Sequence, residues 1–133
     1  MSKSTPLLTA APVPCGSCPY RRDVPSGVWA RSEYDKLPLY DGETWEQSIA
    51  IFMCHQRDGR LCAGWLACHD PTQLLALRAS RNIHSSVFEY TTPVPVFASG
   101  AEARAHGLRD LKQPGGRALK VAAGLRRQRR KRQ

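Results

Sequence analysis

The side chains best equipped for chemistry are the five cysteines, Cys15, Cys18, Cys54, Cys62 and Cys68. Two stand in Cys15-Gly-Ser-Cys18-Pro. The other three fall between Met53 and Asp70, with His55 and His69 beside them. Two thiolates separated by two residues can bend back onto one ion, which is the tight half of many zinc and iron–sulfur sites. Four thiolates gathered in one small chain repel one another and resist burial unless a cation or a cluster accepts them. The spacing therefore predicts one metal centre that closes on two distant regions. Alternatively, the later cysteines are small buried hydrophobes, a common fate of free cysteine.

A helix over residues 62–69 would set Cys62 and Cys68 about 240° apart around its axis, facing different directions. Cys62 and His69 would share a face. The predicted ligands are thus Cys15, Cys18, Cys54 and Cys62, with Cys68 packed nearby and His69 or His55 as alternate ligands. A histidine next to a ligand is more often its hydrogen-bonding neighbour. Structural zinc sites usually present two tight pairs. Here seven residues split the second pair. That wider spread, with Pro19 after Cys18, tilts the expectation slightly toward a [4Fe–4S] cluster over zinc.

A thiol oxidoreductase using Cys15 and Cys18 is the competing class. Such a site needs a buried strand before the motif and a helix whose N-terminus lowers the first thiol's pKa. The residues before Cys15 are Pro-rich instead. There is no Gly-rich phosphate loop and no Gly-x-Ser-x-Gly. Asp23, Asp41, Asp58 and Asp70 each stand where a turn or cap would use them. An accessory or regulatory protein is expected rather than an enzyme, with a structural zinc module for a protein partner as a further alternative.

The elements that must position these groups are short. With 133 residues, ten Gly and ten Pro, the chain suits one small α+β domain with short helices and a small sheet around the Cys-ligated centre. Residues 1–14 are expected as a disordered lead-in, 15–111 as the metal-binding domain and 112–133 as a basic C-terminal arm. Ser26 is expected to cap a helix that runs to Leu37 and stops at Pro38. Ser48–Met53 reads as a buried strand delivering Cys54, followed by an Asp58-Gly59 turn. Cys62 leads into a short helix whose small residues permit close approach. Asp70-Pro71 starts another, running to about Arg81. Residues 87–97 are β-rich but carry Pro93 and Pro95, so any strand there lies at an edge. Ser99 is expected to cap a helix over 101–111, and residues 117–132 form a last one.

Charge is unevenly placed. Residues 1–111 carry eleven Lys/Arg and eleven Asp/Glu, whereas nine basic residues and no acidic one follow from Lys112 onward. Arg126, Arg127, Arg129, Arg130, Lys131 and Arg132 are the candidate contacts to DNA or RNA, through salt-sensitive phosphate binding. No aromatic residue interleaves them, so base stacking is not supported. No apolar stretch reaches the length of a membrane span and no signal-peptide pattern is present, so a cytoplasmic protein with reduced thiols is expected.

Cys15-Gly-Ser-Cys-Pro-Tyr-Arg-Arg-Asp-Val-Pro-Ser-Gly-Val-Trp29, with Cys54-His55 and Cys62-Ala-Gly-Trp65, resembles an uncharacterised Cys-rich family of bacterial and phage genomes over about residues 15–105. The resemblance implies no reaction, but it favours Cys15, Cys18, Cys54 and Cys62 as the shared set. The chain also shares ingredients with WhiB-like iron–sulfur regulators: four cysteines, Gly27-Val28-Trp29 and a basic C-terminal segment. Its cysteine order and spacing depart from that pattern.

Overall fold

A computed structural model describes residues 6–132, with side chains to Gln128. It is a small α+β domain of short pieces. Strand β1 (Thr9–Ala10) pairs in parallel with β2 (Arg60–Leu61). Among the described residues there are five α-helices: α1 (Arg31–Asp35), α2 (Ala63–Cys68), α3 (Leu75–Arg78), α4 (Gly100–Leu108) and α5 (Gly116–Arg132). Single turns of 3-10 helix at Leu37–Tyr40, Thr44–Glu46, Pro71–Gln73 and Ser85–Glu89 join them. Among the described residues no helix is long and apolar enough to cross a membrane.

One core gathers Tyr20, Tyr34, Leu37, Trp65, Leu66 and Leu77, and four of the cysteines lie inside it. Part of the expected lead-in belongs to this core. Leu8 N donates to Asn82 O and His84 N to Leu8 O, while Ala11 is fully buried. Once those backbone groups are paired, the apolar side chains can be buried without stranding a donor.

Several predicted elements are shorter than expected. The helix from Ser26 to Leu37 contracts to α1, because Gly27 takes a left-handed φ of 82° and breaks the helical path. Ser26 caps nothing at its own segment. Buried, it donates from Oγ to Gly107 O at 3.0 Å and accepts from Asp110 N at 2.8 Å. Pro38 does not stop the chain's helical turning but sits within the first 3-10 turn.

The expected strand over Ser48–Met53 is absent. Ala50 N bonds to Ser48 Oγ and Tyr40 Oη donates to Ala50 O, so the run is spent on turns and Ile49 is exposed. Pairing begins only at its end, where Cys62 N donates to Phe52 O and Cys54 N to Arg60 O. The Asp58-Gly59 turn closes this clip, with Gly59 at φ 74°.

After Asp70, whose side chain accepts from Thr72 N, a 3-10 turn and an extended Leu74 replace the first part of the expected helix; α3 then ends at Arg78. Residues 87–97 form no strand beyond a single Arg21–Val96 bridge. Ser99 does cap α4, accepting from Glu102 N at 3.1 Å. Helix α5 docks on the body through Ala118, Val121 and Leu125 against Val24, Val28 and Trp29.

Candidate metal centre

The fold brings Cys15, Cys18, Cys54 and Cys62 into one buried locus. Cys15 and Cys18 flank a tight turn, with Cys18 N donating to Cys15 O at 3.0 Å. Cys54 and Cys62 face this turn from the two arms of the clip around Gly59. Cys62 is also the N-cap of α2, its Sγ accepting from Trp65 N at 3.4 Å.

The sulfurs meet as two pairs that run between the regions, not within them. Cys18 Sγ lies 3.7 Å from Cys62 Sγ, and Cys15 shares a hydrogen bond with Cys54. Charge on Cys18 is felt at both Cys15 and Cys62, so the pairs are neighbours. Among the described residues, no three ligating side chains already converge on one point as around a bound ion.

Within each pair the shared hydrogen bond lowers one thiol and raises the other. The Cys15 hydrogen bond brings Cys54 down to about 5, assisted by the Gln56 and Arg57 amides against the cost of burial. The hydrogen bond with Cys62 also lowers the Cys18 thiol, against burial and helped by the amides of Tyr20 and Arg21. The donors, Cys15 and Cys62, are pushed well up by these same hydrogen bonds and by burial. Backbone amides two or three residues on thus face each sulfur, a dipole arrangement that suits thiolate charge.

Neighbours lock the site. Ser17, fully buried, has its Oγ 3.6 Å from Cys15 Sγ and accepts from Gln56 Nε2 at 2.7 Å, which ties the two cysteine regions together. The Trp29 indole donates to Ser17 O at 2.8 Å. Gly64 leaves the space that Cys18 Sγ occupies, since a Cβ there would collide with that sulfur and lie 2.9 Å from Tyr20 Cβ. By contrast, Gly16 has open space around it and an ordinary backbone angle.

The alternate ligands are placed otherwise. His69 is not carried round a helix to share a face with Cys62; the two residues stand at opposite ends of α2 as its caps. The His69 ring nitrogens face Trp65 O at 2.9 Å and Asp41 Oδ1 at 3.0 Å, so an acceptor engages each. His55 points to Glu33 Oε2 at 3.0 Å and lies against the Trp29 ring. Cys68 stays outside the sulfur pairs, half-buried, its thiol pushed up to about 12 by burial and by the Asp41 charge. Asp41 itself caps α4, accepting from Gly100 N and Ala101 N at 2.7 and 2.8 Å.

Among the arm residues, Arg126 and Arg127 are exposed on α5. Arg129, Arg130, Lys131 and Arg132 continue the helix, but their side chains lie outside the described residues. Ser17, Gln56 and Gly64 have no signature as site residues in sequence. Only the run of small residues after Cys62 hints at the close approach of Cys18.

The chain matches a family described as a family of unknown function (DUF6283) over residues 10–129, a span that includes all five cysteines. No curated protein and no solved structure matches it.

Proposed function

We propose that this protein, which belongs to the family of unknown function DUF6283, holds one metal centre on Cys15, Cys18, Cys54 and Cys62 and contacts nucleic acid through its basic C-terminal helix. The observation that carries the metal reading is the meeting of four thiols from two distant regions in one buried locus. Backbone amides and the partner thiols lower the Cys18 and Cys54 thiols below their ordinary value. Buried thiolate charge is costly without a cation.

The 3.7 Å between Cys18 and Cys62 supports zinc over the cluster that sequence spacing favours. Two thiolates on one tetrahedral ion at about 2.3 Å lie roughly 3.8 Å apart. On a cubane each thiolate binds a different iron and the sulfurs stand further off. Binding all four on one ion asks Cys15 and Cys54 to move in toward the Cys18–Cys62 pair, since no three ligating side chains among the described residues already converge. The centre shapes the domain and carries no reaction of its own. The basic helix serves the polyanion: from Lys112 onward the chain carries nine basic residues and no acidic one.

Anaerobic purification with metal analysis and a visible spectrum tests the centre. One zinc per chain in colourless protein, lost in Cys18→Ser and Cys54→Ser, is the expected result. Brown protein with iron and sulfide reassigns the site to a cluster. Metal-free protein whose melting ignores both substitutions overturns the reading.

A further inference from the structure

In sequence the body is neutral up to residue 111, and all net charge sits beyond it. In three dimensions some cations of the body line clefts together with the first cations of the arm. A cleft of about 700 Å³ after α4 is lined by Arg31, Arg109 and Lys112, together with the carboxylate of Asp110. A second, of about 320 Å³, is lined by Arg22, Arg109 and Arg117, with Asp23 and Asp110. The two share Arg109 and Asp110, so they form one track. Asp23 is already taken by Arg21, with contacts of 2.6 and 3.1 Å. Arg117 lies in the first turn of α5, so the track runs into the basic helix.

We propose that this track is a phosphate-binding surface, on which the backbone of a nucleic-acid duplex lies before continuing along α5. It rests on the nucleic-acid part of the function proposed above and extends it from the basic arm, which supplies Lys112 and Arg117, to the body residues Arg22, Arg31 and Arg109. Its cations are exposed, and their contacts to carboxylates are loose: Arg31 to Asp35 at 3.7 Å, Arg109 to Asp110 at 3.5 Å and Arg22 to Glu102 at 3.9 Å. Such pairs yield readily to phosphate.

The floor is rigid. Gly27 N and Ser26 Oγ both donate to Gly107 O, and Asp110 N donates to Ser26 Oγ, which fixes the turn carrying Arg109 and Lys112. A recessed track suits a ridge of phosphates better than a flat lipid surface. Of the apolar residues of α5 that a membrane would require, Ala118, Val121 and Leu125 are packed on the body, while Leu119 is exposed.

Binding of the full chain to a labelled mixed-sequence duplex, DNA in one arm and RNA in another, is measured across a KCl series beside Arg109→Gln/Lys112→Gln. Each lost phosphate contact lowers the slope of log K against log salt by about 0.9 for B-DNA. The double variant is expected to lose up to about 1.8 in slope, with Lys112→Gln alone losing about half as much. Its melting temperature is expected to match the parent. A second variant, Arg126→Gln/Arg127→Gln, reports on α5. If that variant weakens binding while Arg109→Gln/Lys112→Gln keeps the parental slope, the track is overturned and the helix reading stands. If the parent binds neither duplex, or binds only phosphatidylserine vesicles, both fall.

Discussion

At the scale of single residues, two glycines near the thiols have opposite duties. Gly64 exists to make room: a methyl group there would displace Cys18 Sγ and press on Tyr20, both buried in the core. Gly64→Ala is expected to cost about 1–3 kcal/mol, as overpacking does, and to weaken zinc binding as well. Gly16→Ala, in open space inside the Cys-x2-Cys turn, is expected to leave both unchanged or to stabilise slightly. Thermal melts and zinc titration of the two variants check this, and equal behaviour would remove the packing explanation. Glu33 offers a pH-dependent case. Burial raises its carboxyl pKa, but hydrogen bonds from Lys36 and His55 outweigh this and hold it below the ordinary value. Its stabilising contribution is therefore present above the ordinary carboxylate range and lost as pH falls through the lowered value. Glu33→Gln should flatten that part of the acid limb in urea melts between about pH 5 and 3.

At the scale of elements, contact geometry decides which sequence signals survive. The cap of α4 by Ser99 is legible because a cap is local: one side chain meets an amide three residues on. So is the Asp58-Gly59 turn. The apolar run Ile49–Met53 is misleading because strand propensity needs a neighbouring strand, and only its last residues find one. The gathering of the four cysteines is partly legible, since cysteine type and spacing suggest it, whereas their cross-region pairing depends on tertiary contacts such as Ser17 with Gln56. Nor does sequence show that α4 crosses α1 through Gly107. A Cβ at Gly107 would strike the Tyr34 ring, whose hydroxyl accepts from Val28 N and Trp29 N. Gly107→Ala is expected to lower the melting temperature by several degrees, from a cost of about 1–3 kcal/mol. Retention of the parental melting temperature would mean that α1 and α4 can part without loss.

At the scale of the whole molecule, Trp29 joins the thiol site to the basic helix. Its indole nitrogen holds Ser17 O inside the Cys15–Cys18 turn, its ring lies against His55 next to Cys54, and it packs on the same small cluster of Val24, Val28 and Ala118 as Val121 and Leu125 of α5. Helix α5 is held by this small satellite cluster, separate from the main core. It should therefore open at lower free energy than α4, which contributes buried Ala103 and partly buried Leu108 to the main core. Leu125→Ala removes part of that seam and is expected to speed hydrogen exchange in α5 alone. Trp29→Phe is a finer probe: it keeps a ring against the helix but deletes the bond to Ser17, at a cost of about 1 kcal/mol. If zinc orders the Cys15–Cys18 turn, zinc addition should slow exchange in α5 of the parent through Trp29, and this transfer should shrink in Trp29→Phe while zinc stoichiometry stays the same. Exchange measured by mass spectrometry with and without zinc reads both quantities in one sample. An α5 that ignores zinc in the parent would mean that the proposed metal centre and the basic helix act independently within one domain.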